Sequence, residues 1–290
     1  MPPDLPTSHM SYPGDESDGE SLDQAWQALS GALTALGSIV VAFSGGTDSA
    51  FLAWAALQIL GADQVLAVTA VSPSLASGEL EHCAQLSSAW GLAWESTDTD
   101  ELANPAYVAN AGDRCYWCKA ELMDAIEPVA RSRGAVAVLG VNVDDLGDHR
   151  PGQKAAHERG AKFPLVDAGL TKAMIRALSR RHGLSTWDRP AAACLASRLP
   201  YGTPVTLGRL DSVDRAEAAL RRMGLTQLRV RHYDDTARIE VELDSMPTVF
   251  ERRAEIVEAV RAAGYRYVTV DLEGFRSGNL NAALNVPTSG

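Results

Sequence analysis

Apolar positions in this chain fall into short unbroken runs set between segments of helical period. Ile39 to Phe43, Gln64 to Val71 and Ala135 to Val141 are rich in Val, Leu and Ala and do not alternate with polar residues. Such runs predict strands buried on both faces. Ala93 to Ser96 adds a further short strand. Between them, Leu22 to Leu36, residues 49–60, Glu79 to Trp90 and Lys119 to Ser132 place apolar residues three and four apart, which predicts helices. Gly91 closes the third of these. Strands alternating with helices predict an α/β fold, a parallel sheet covered on both faces. Ligands of such sheets bind at the carboxyl ends of the strands. Residues 44–49, 72–77 and 142–150 fall there.

The pattern changes at residues 200–206, where Pro200, Gly202 and Pro204 predict a linker. Beyond it the periods predict a helix (Leu207 to Met223), two strands (Leu228 to His232 and Ala237 to Glu242), a helix (Pro247 to Ala263) and a strand (Tyr267 to Leu272). That order suits a small α+β unit with helices on one face of its sheet. The expected organisation is a disordered tail (1–21), a large α/β domain (22–200) and a small α+β domain (201–290).

Composition narrows the function classes. The tail is rich in Pro, Ser, Asp and Gly, lacks an apolar core segment, and reads as neither a signal peptide nor an ordered element. No apolar run is long enough to span a bilayer, so a cytoplasmic location and no membrane partner are expected. The net charge of −11 is concentrated in residues 1–200; residues 201–290 carry 12 Arg, no Lys and 13 acidic residues. An acidic surface repels the phosphate backbone, which argues against nucleic acid as a partner. The all-arginine basic set of the last segment suits bidentate contacts to phosphate or carboxylate, although a coding bias would produce it too.

The richest stretch for chemistry is Val40-Val-Ala-Phe-Ser-Gly-Gly-Thr-Asp-Ser49. A buried strand stops at Ser44-Gly45-Gly46 and an apolar helix follows. Two glycines let backbone N–H groups close around an anion, and the helix N-terminus adds a favourable dipole. Ser44 and Ser49 add hydroxyl donors. Asp48 suits an anion site only if it holds a cation, most simply Mg²⁺ on pyrophosphate. The string resembles the pyrophosphate loop of enzymes that split ATP into AMP and pyrophosphate. No Gly-Lys-Ser/Thr follows, so it is not a Walker loop.

Four cysteines are present. Cys83 lies in a helical pattern and reads as a core filler. Cys115 and Cys118, in Asp113-Arg-Cys-Tyr-Trp-Cys-Lys119 before a predicted helix, could be a redox pair, half a metal site, part of an Fe–S site or two incidental thiols. Cys194 lies in a small-residue loop between Arg189 and Arg198, a setting that favours a thiolate nucleophile or ligand over a buried hydrophobe. Asp144, Asp145, Asp148 and Arg150 follow a strand and either line a site or cap a helix. Arg229 and Arg231 are two apart on a predicted strand and share one sheet face.

Taken together, the pyrophosphate loop, Asp113–Lys119, Gly140-Val-Asn-Val-Asp-Asp-Leu-Gly-Asp-His-Arg-Pro-Gly152, Pro190-Ala-Ala-Ala-Cys-Leu-Ala-Ser-Arg-Leu-Pro-Tyr-Gly-Thr203 and Asp271-Leu-Glu-Gly-Phe-Arg-Ser-Gly278 resemble the LarE family of ATP-dependent sulfur transferases, over residues 22–285. The resemblance implies ATP and Mg²⁺ at Ser44, Gly45, Gly46, Asp48 and Ser49. The substrate it implies is pyridinium-3,5-biscarboxylic acid mononucleotide, whose ring carboxylate is adenylated and then thiolated on the way to a nickel-pincer nucleotide. Sulfur comes sacrificially from the residue matching Cys194 in some members, and from a three-cysteine [4Fe–4S] cluster in others. The set Cys115, Cys118 and Cys194 fits the second type. Arg229, Arg231 and Arg276 are the implied phosphate ligands. Lys119 and Glu217 are implied catalytic positions, and Glu240 a further acidic, metal-binding position. Nickel-pincer pathway proteins and a homo-oligomer are the implied partners.

Other readings share parts of this pattern. A tRNA thiolase uses the same loop and sometimes three cysteines, but needs a basic surface. An ammonia-using synthetase leaves the cysteines without a role. A nucleotide-sensing module without catalysis leaves Asp48 and Cys194 unexplained.

Overall fold

A computed structural model describes residues 15–147, 151–189 and 194–276. It is an α/β structure with a four-stranded parallel sheet and a separate three-stranded mixed sheet. The first sheet comprises β1 (Ile39–Ala42), β2 (Val65–Val71), β3 (Ala93–Asp98) and β4 (Val136–Leu139), in the order β3-β2-β1-β4. Val40 pairs with Leu66 on one side and Ala137 on the other. Side chains alternate between the two faces, and both faces are buried. Ile39, Val41, Val65 and Ala67 enter one apolar cluster, while Val40, Leu66 and Val68 enter another.

Helices supply the two covers. α1 (Asp15–Leu36), α2 (Thr47–Leu60), α3 (Glu79–Trp90), α7 (Pro164–Asp167) and α8 (Lys172–Arg181) contribute to the first cluster. α5 (Arg114–Ser132) and α6 (Pro151–Glu158) contribute to the second. A short α4 (Pro105–Val108) precedes α5. α2 is apolar almost all round: Phe51, Leu52, Ala53, Ala55 and Ala56 are fully buried. A helix of that kind must sit inside the structure. Burying a side chain such as Phe51 or Leu52 is worth about 1.5–3 kcal/mol, which fixes the helix, and the loop before it, onto the carboxyl edge of the sheet.

The second sheet follows α9 (Leu207–Arg222). β5 (Leu228–Tyr233) and β6 (Thr236–Val241) form an antiparallel hairpin turned by Asp234, whose φ is 51°. α10 (Met246–Glu251) and α11 (Arg253–Ala262) lead to β7 (Tyr267–Val270), parallel to β6. Leu228, Val230, Ile239 and Val241 pack on Ala216, Leu220, Ile256 and Val260. The other sheet face carries Arg229, Arg231, Arg238 and Glu240, as period-2 alternation requires.

Several boundaries differ from the sequence expectation. α1 starts at Asp15, inside the predicted tail. The rest of the predicted tail, residues 1–14, lies outside the described residues. α5 starts at Arg114, so Cys115 and Cys118 are within the helix rather than before it. The predicted 247–263 helix is broken at Arg252, whose guanidinium donates to Met223 O at 2.7 Å. The predicted linker at 200–206 is held down: Asn110 Nδ2 donates to Pro200 O and Thr203 O, and Gly202 and Val205 N–H groups donate to Asn110 O and Val108 O. Among the described residues no helix is long and apolar enough to cross a membrane.

Candidate functional site

The loop between β1 and α2 is built for an anion. Gly45 has φ +67°, a left-handed conformation that disfavours side chains, and a Cβ there would meet His82 at 2.9 Å and Cys83 at 3.0 Å. Gly46 precedes the first turn of α2 and, as a glycine, has no side chain to cap its N–H groups. Those donors and the dipole face outward from the carboxyl edge of the sheet. Ser44 and Ser49 are drawn together, with hydroxyls 3.0 Å apart and the Ser44 N–H donating to Ser49 Oγ at 3.2 Å. Cys83 is fully buried, as its helical pattern predicts.

Three long-range contacts set the loop in place. Gly140, just after β4, lies against the start of α2 so closely that a Cβ would fall 2.7 Å from Ser49 N. Thr47 Oγ1 donates to Thr186 O at 3.0 Å. Arg189 NH1 donates to Gly45 O at 3.0 Å while its NH2 contacts both oxygens of Glu79 at 3.0 and 3.1 Å. His82 packs beside them. Burial, and then the Arg189 charge, lower its pKa and favour the neutral ring. Asp48 Oδ2 accepts from Lys172 Nζ at 2.7 Å, and Asp48 Oδ1 is buried without a hydrogen-bond partner among the described residues. An unused carboxylate oxygen at an anion loop fits the residue expected to carry Mg²⁺.

Segment 184–189, which precedes Cys194 in sequence, touches this loop through Thr186 and Arg189. Pro190–Ala193 lie outside the described residues. Leu195 N–H donates to Ser74 O at 2.9 Å, just beyond the carboxyl end of β2. Cys194 and Cys118 both pack on a small cluster that includes fully buried Tyr107, Leu195, Ala196 and Leu199. Cys115 is exposed on the first turn of α5. Burial pushes the Cys118 thiol pKa up, and neighbouring Cys194, Glu101 and Cys115 push the same way, against Lys119. Cys115, Cys118 and Lys119 share the first turns of α5, and Cys118 and Cys194 pack on the same apolar cluster, so the three thiols and Lys119 lie in one neighbourhood. The Cys118 thiol donates to Glu101 Oε1 at 3.7 Å, and burial raises the Glu101 carboxyl. Arg114 is buried next to Cys115 and Cys194 and donates to Asn110 Oδ1 at 2.6 Å and Ala196 O at 2.8 Å. The donor set is chemically suited to an Fe–S cluster. Among the described residues, however, no three His, Cys, Asp or Glu side chains converge closely enough to hold a metal ion.

Beyond Cys194 the chain meets the polar face of the second sheet. Arg198, 1% exposed, donates through Nε and NH2 to Glu217 at 2.7 and 2.9 Å, and through NH1 to Cys194 O at 3.2 Å and Ser197 Oγ at 2.9 Å. Glu217 also accepts from Arg221 NH2 at 2.7 Å and from the Val230 N–H at 3.0 Å. Burial opposes its charge, but the Arg198 hydrogen bonds and charge outweigh it and hold the carboxyl below its usual range. Arg231 donates through NH1 to Ser197 O at 2.8 Å and through Nε and NH2 to Glu240 at 3.0 and 2.9 Å. Arg238 reaches the other Glu240 oxygen at 2.9 Å. Arg229 lies under the Phe275 ring, 5.0 Å from its centroid. Its pKa is lowered to about 10 by burial and then by Arg198.

The predicted residues therefore separate into three groups. Ser44, Gly45, Gly46, Asp48 and Ser49 form the loop. Cys115, Cys118, Cys194 and Lys119 share a neighbourhood. Arg229 and Arg231 share a face, while Arg276 is exposed and paired with Glu273 at 2.5 Å. Glu217 and Glu240 are fully buried, with their oxygens turned to arginines. That arrangement suits them to position those arginines. Asp144 does cap, but across the fold: its Oδ2 accepts from the Lys172 N–H of α8 at 2.7 Å. Asp145 Oδ2 accepts from the Asn142 N–H. Asp148 and Arg150, with Ser277 and Gly278 of the terminal motif, lie outside the described residues. Lys172, Glu101, Asn110 and Arg114 were not singled out by sequence; Thr171 before Lys172 was the available helix-start cue.

A parallel sheet delivers a Gly-Gly loop to a helix N-terminus at its carboxyl edge, an arrangement suited to an anionic ligand in an α/β protein. No protein-family profile matches the chain. It is 36% identical over 257 residues, 88% of its length and 93% of the relative's, to pyridinium-3,5-bisthiocarboxylic acid mononucleotide synthase of Lactiplantibacillus plantarum. An uncharacterised protein of Synechocystis sp. is 45% identical over 93% of this chain and 98% of its own length. One of Methanocaldococcus jannaschii is 25% identical over 82% and 91%. The chain belongs to the LarE family of sulfur transferases.

Proposed function

We propose that this enzyme uses MgATP to adenylate a ring carboxylate of pyridinium-3,5-biscarboxylic acid mononucleotide and replaces it with a thiocarboxylate, a step toward a nickel-pincer nucleotide. The bisthiocarboxylic acid mononucleotide named as the product of the L. plantarum relative supports this substrate. The observation that carries the reading is the anion loop at the carboxyl edge of the first sheet, with Leu195, next to Cys194, bonded to Ser74 O beyond β2. Arg198 and Arg231 bond the backbone carbonyls of Cys194 and Ser197 from the side of the second sheet.

The steps follow from the residues. A carboxylate resists attack until one oxygen belongs to a good leaving group. The α2 N-terminus and the Ser44 and Ser49 hydroxyls hold the polyphosphate, and Asp48 would hold Mg²⁺, which would offset the phosphate charge. The carboxylate oxygen bonds to the α-phosphorus as the bridging P–O bond breaks and pyrophosphate departs with the electron pair. Arg229, Arg231 and Arg276 hold the substrate's own phosphate. Glu217 and Glu240 orient the arginines, and Lys119 balances negative charge beside the thiols. A sulfur nucleophile then bonds to the acyl carbon and AMP leaves. Cys115, Cys118 and Cys194 are the residues that would hold a [4Fe–4S] cluster, which would supply a transferable sulfide. Without a cluster, Cys194 Sγ attacks; loss of its Cα proton and cleavage of the Cβ–S bond then leave dehydroalanine. The protein works as a homo-oligomer with nickel-pincer pathway proteins as partners.

The test is incubation of anaerobically reconstituted protein with MgATP and the biscarboxylate nucleotide, or with tRNA or ammonia in its place. Thiolated nucleotide, an unchanged protein mass and a brown chromophore are expected. A protein lighter by one H₂S identifies sacrificial Cys194. Thiolated tRNA, or full activity in Cys194→Ala, overturns the proposal.

A further inference from the structure

We propose that Lys172 is a catalytic residue that binds the departing pyrophosphate, an assignment that rests on the ATP reading above. Its ammonium lies 2.7 Å from Asp48 Oδ2, at the anion loop yet 124 positions away in sequence. The pair borders solvent: the Lys172 side chain is 36% exposed and that of Asp48 22%.

Lys172 is the first residue of α8, with Thr171 capping the Met174 N–H at 3.3 Å. A cation at that end opposes the helix dipole and gains nothing from local structure. Its backbone is nevertheless held with care. The Lys172 N–H donates to Asp144 Oδ2 at 2.7 Å, and the Val143 N–H donates to Leu170 O at 3.0 Å. These bonds fasten the start of α8 to the segment following β4, while Gly140 in that segment packs against the start of α2. The fold thus brings the N-termini of α2 and α8 to one edge and fixes the base of a long flexible cation beside the carboxylate expected to carry Mg²⁺. Surface pairing alone would require none of this anchoring.

In the reaction, the substrate carboxylate oxygen bonds to the α-phosphorus while the bond from that phosphorus to the bridging oxygen breaks. The electron pair stays on pyrophosphate, and the Lys172 ammonium meets the charge that develops there. No proton need transfer. Lysine suits this role as a compact point charge on a movable stem.

Isothermal titration of Mg-pyrophosphate and of AMP, separately, into wild type, Lys172→Met and Lys172→Arg tests the assignment. Loss of a charge-assisted contact predicts pyrophosphate binding weakened about tenfold or more in Lys172→Met. AMP, which lacks the β- and γ-phosphates, should bind both proteins alike, and that also reports an intact fold. Lys172→Arg should recover part of the loss. Pyrophosphate affinity in Lys172→Met within twofold of wild type, with only the melting temperature lowered, overturns the Lys172 assignment and leaves the ATP reading standing. Wild type that binds neither ligand overturns both.

Discussion

Replacing Glu217 by Gln removes a negative charge from a place where arginines gather, and the cost can be worked from the contacts. Glu217 accepts from Arg198 Nε and NH2, from Arg221 NH2 and from the Val230 N–H, at 2.7 to 3.0 Å, and is fully buried. Gln keeps the volume and one carbonyl oxygen. Its amide nitrogen, however, turns a donor toward a guanidinium, and Arg198 keeps a buried charge with too little to offset it. Breaking one side of a buried pair costs about 3–5 kcal/mol. The Arg221 contact, partly exposed, adds at most about 0.5 kcal/mol. At about 2–4 °C per kcal/mol for a chain of this size, the melting temperature should fall by roughly 10 °C at pH 7. The pH dependence has a definite sign. The folded-state pKa is depressed, so its contribution is complete above the ordinary value of 4.5 and is lost as pH falls through the lowered one. The gap between wild type and Glu217→Gln should therefore narrow on acidification below pH 4.5. Thermal melts by circular dichroism across that range measure both quantities. A loss under about 1 kcal/mol at neutral pH (far below the range for a buried pair), or a gap that stays constant into acid, would refute the reasoning.

Two further outcomes follow from the same geometry. Iodoacetamide at pH 8, read by peptide mass spectrometry, should modify exposed Cys115 well before half-buried Cys118, whose thiol pKa is raised by desolvation, and before buried Cys83; equal rates at Cys115 and Cys118 would contradict that environment. Gly140→Ala should destabilise the protein by about 1–3 kcal/mol and weaken pyrophosphate binding, because the new Cβ meets backbone atoms of Ser49 and Asp48; titration calorimetry beside a thermal melt checks both effects.

The parallel sheet was legible because each of its central strands is a continuous apolar run, and a run buried on both faces needs no partner to be recognised. The anion loop was legible for a similar reason: Ser44 to Ser49 are contiguous, and Gly45 meets a local demand for positive φ. Arg229 and Arg231 could be placed on one face from strand period alone, and they share one. Element ends were less legible. α1 begins inside the stretch that composition had assigned to a tail, and α5 reaches back to enclose Cys115 and Cys118. The short helices α6, α7 and α8 carried too few periodic positions to stand out.

What sequence determined by itself was therefore whatever chemistry is local: strand burial, the glycine turn, capping cues, residue spacing on a face and the motif set that marks the family. Tertiary structure alone decided which distant side chains meet. Arg189 lies 144 positions from Gly45, and Arg198 lies 19 from Glu217 and joins Cys194 to the second sheet. Lys172 reaches Asp48 only because β4, Gly140 and Asp144 bring two helix N-termini together. Local propensity acts over one or two turns, whereas these contacts are set by which apolar faces pack, and that is a property of the whole chain.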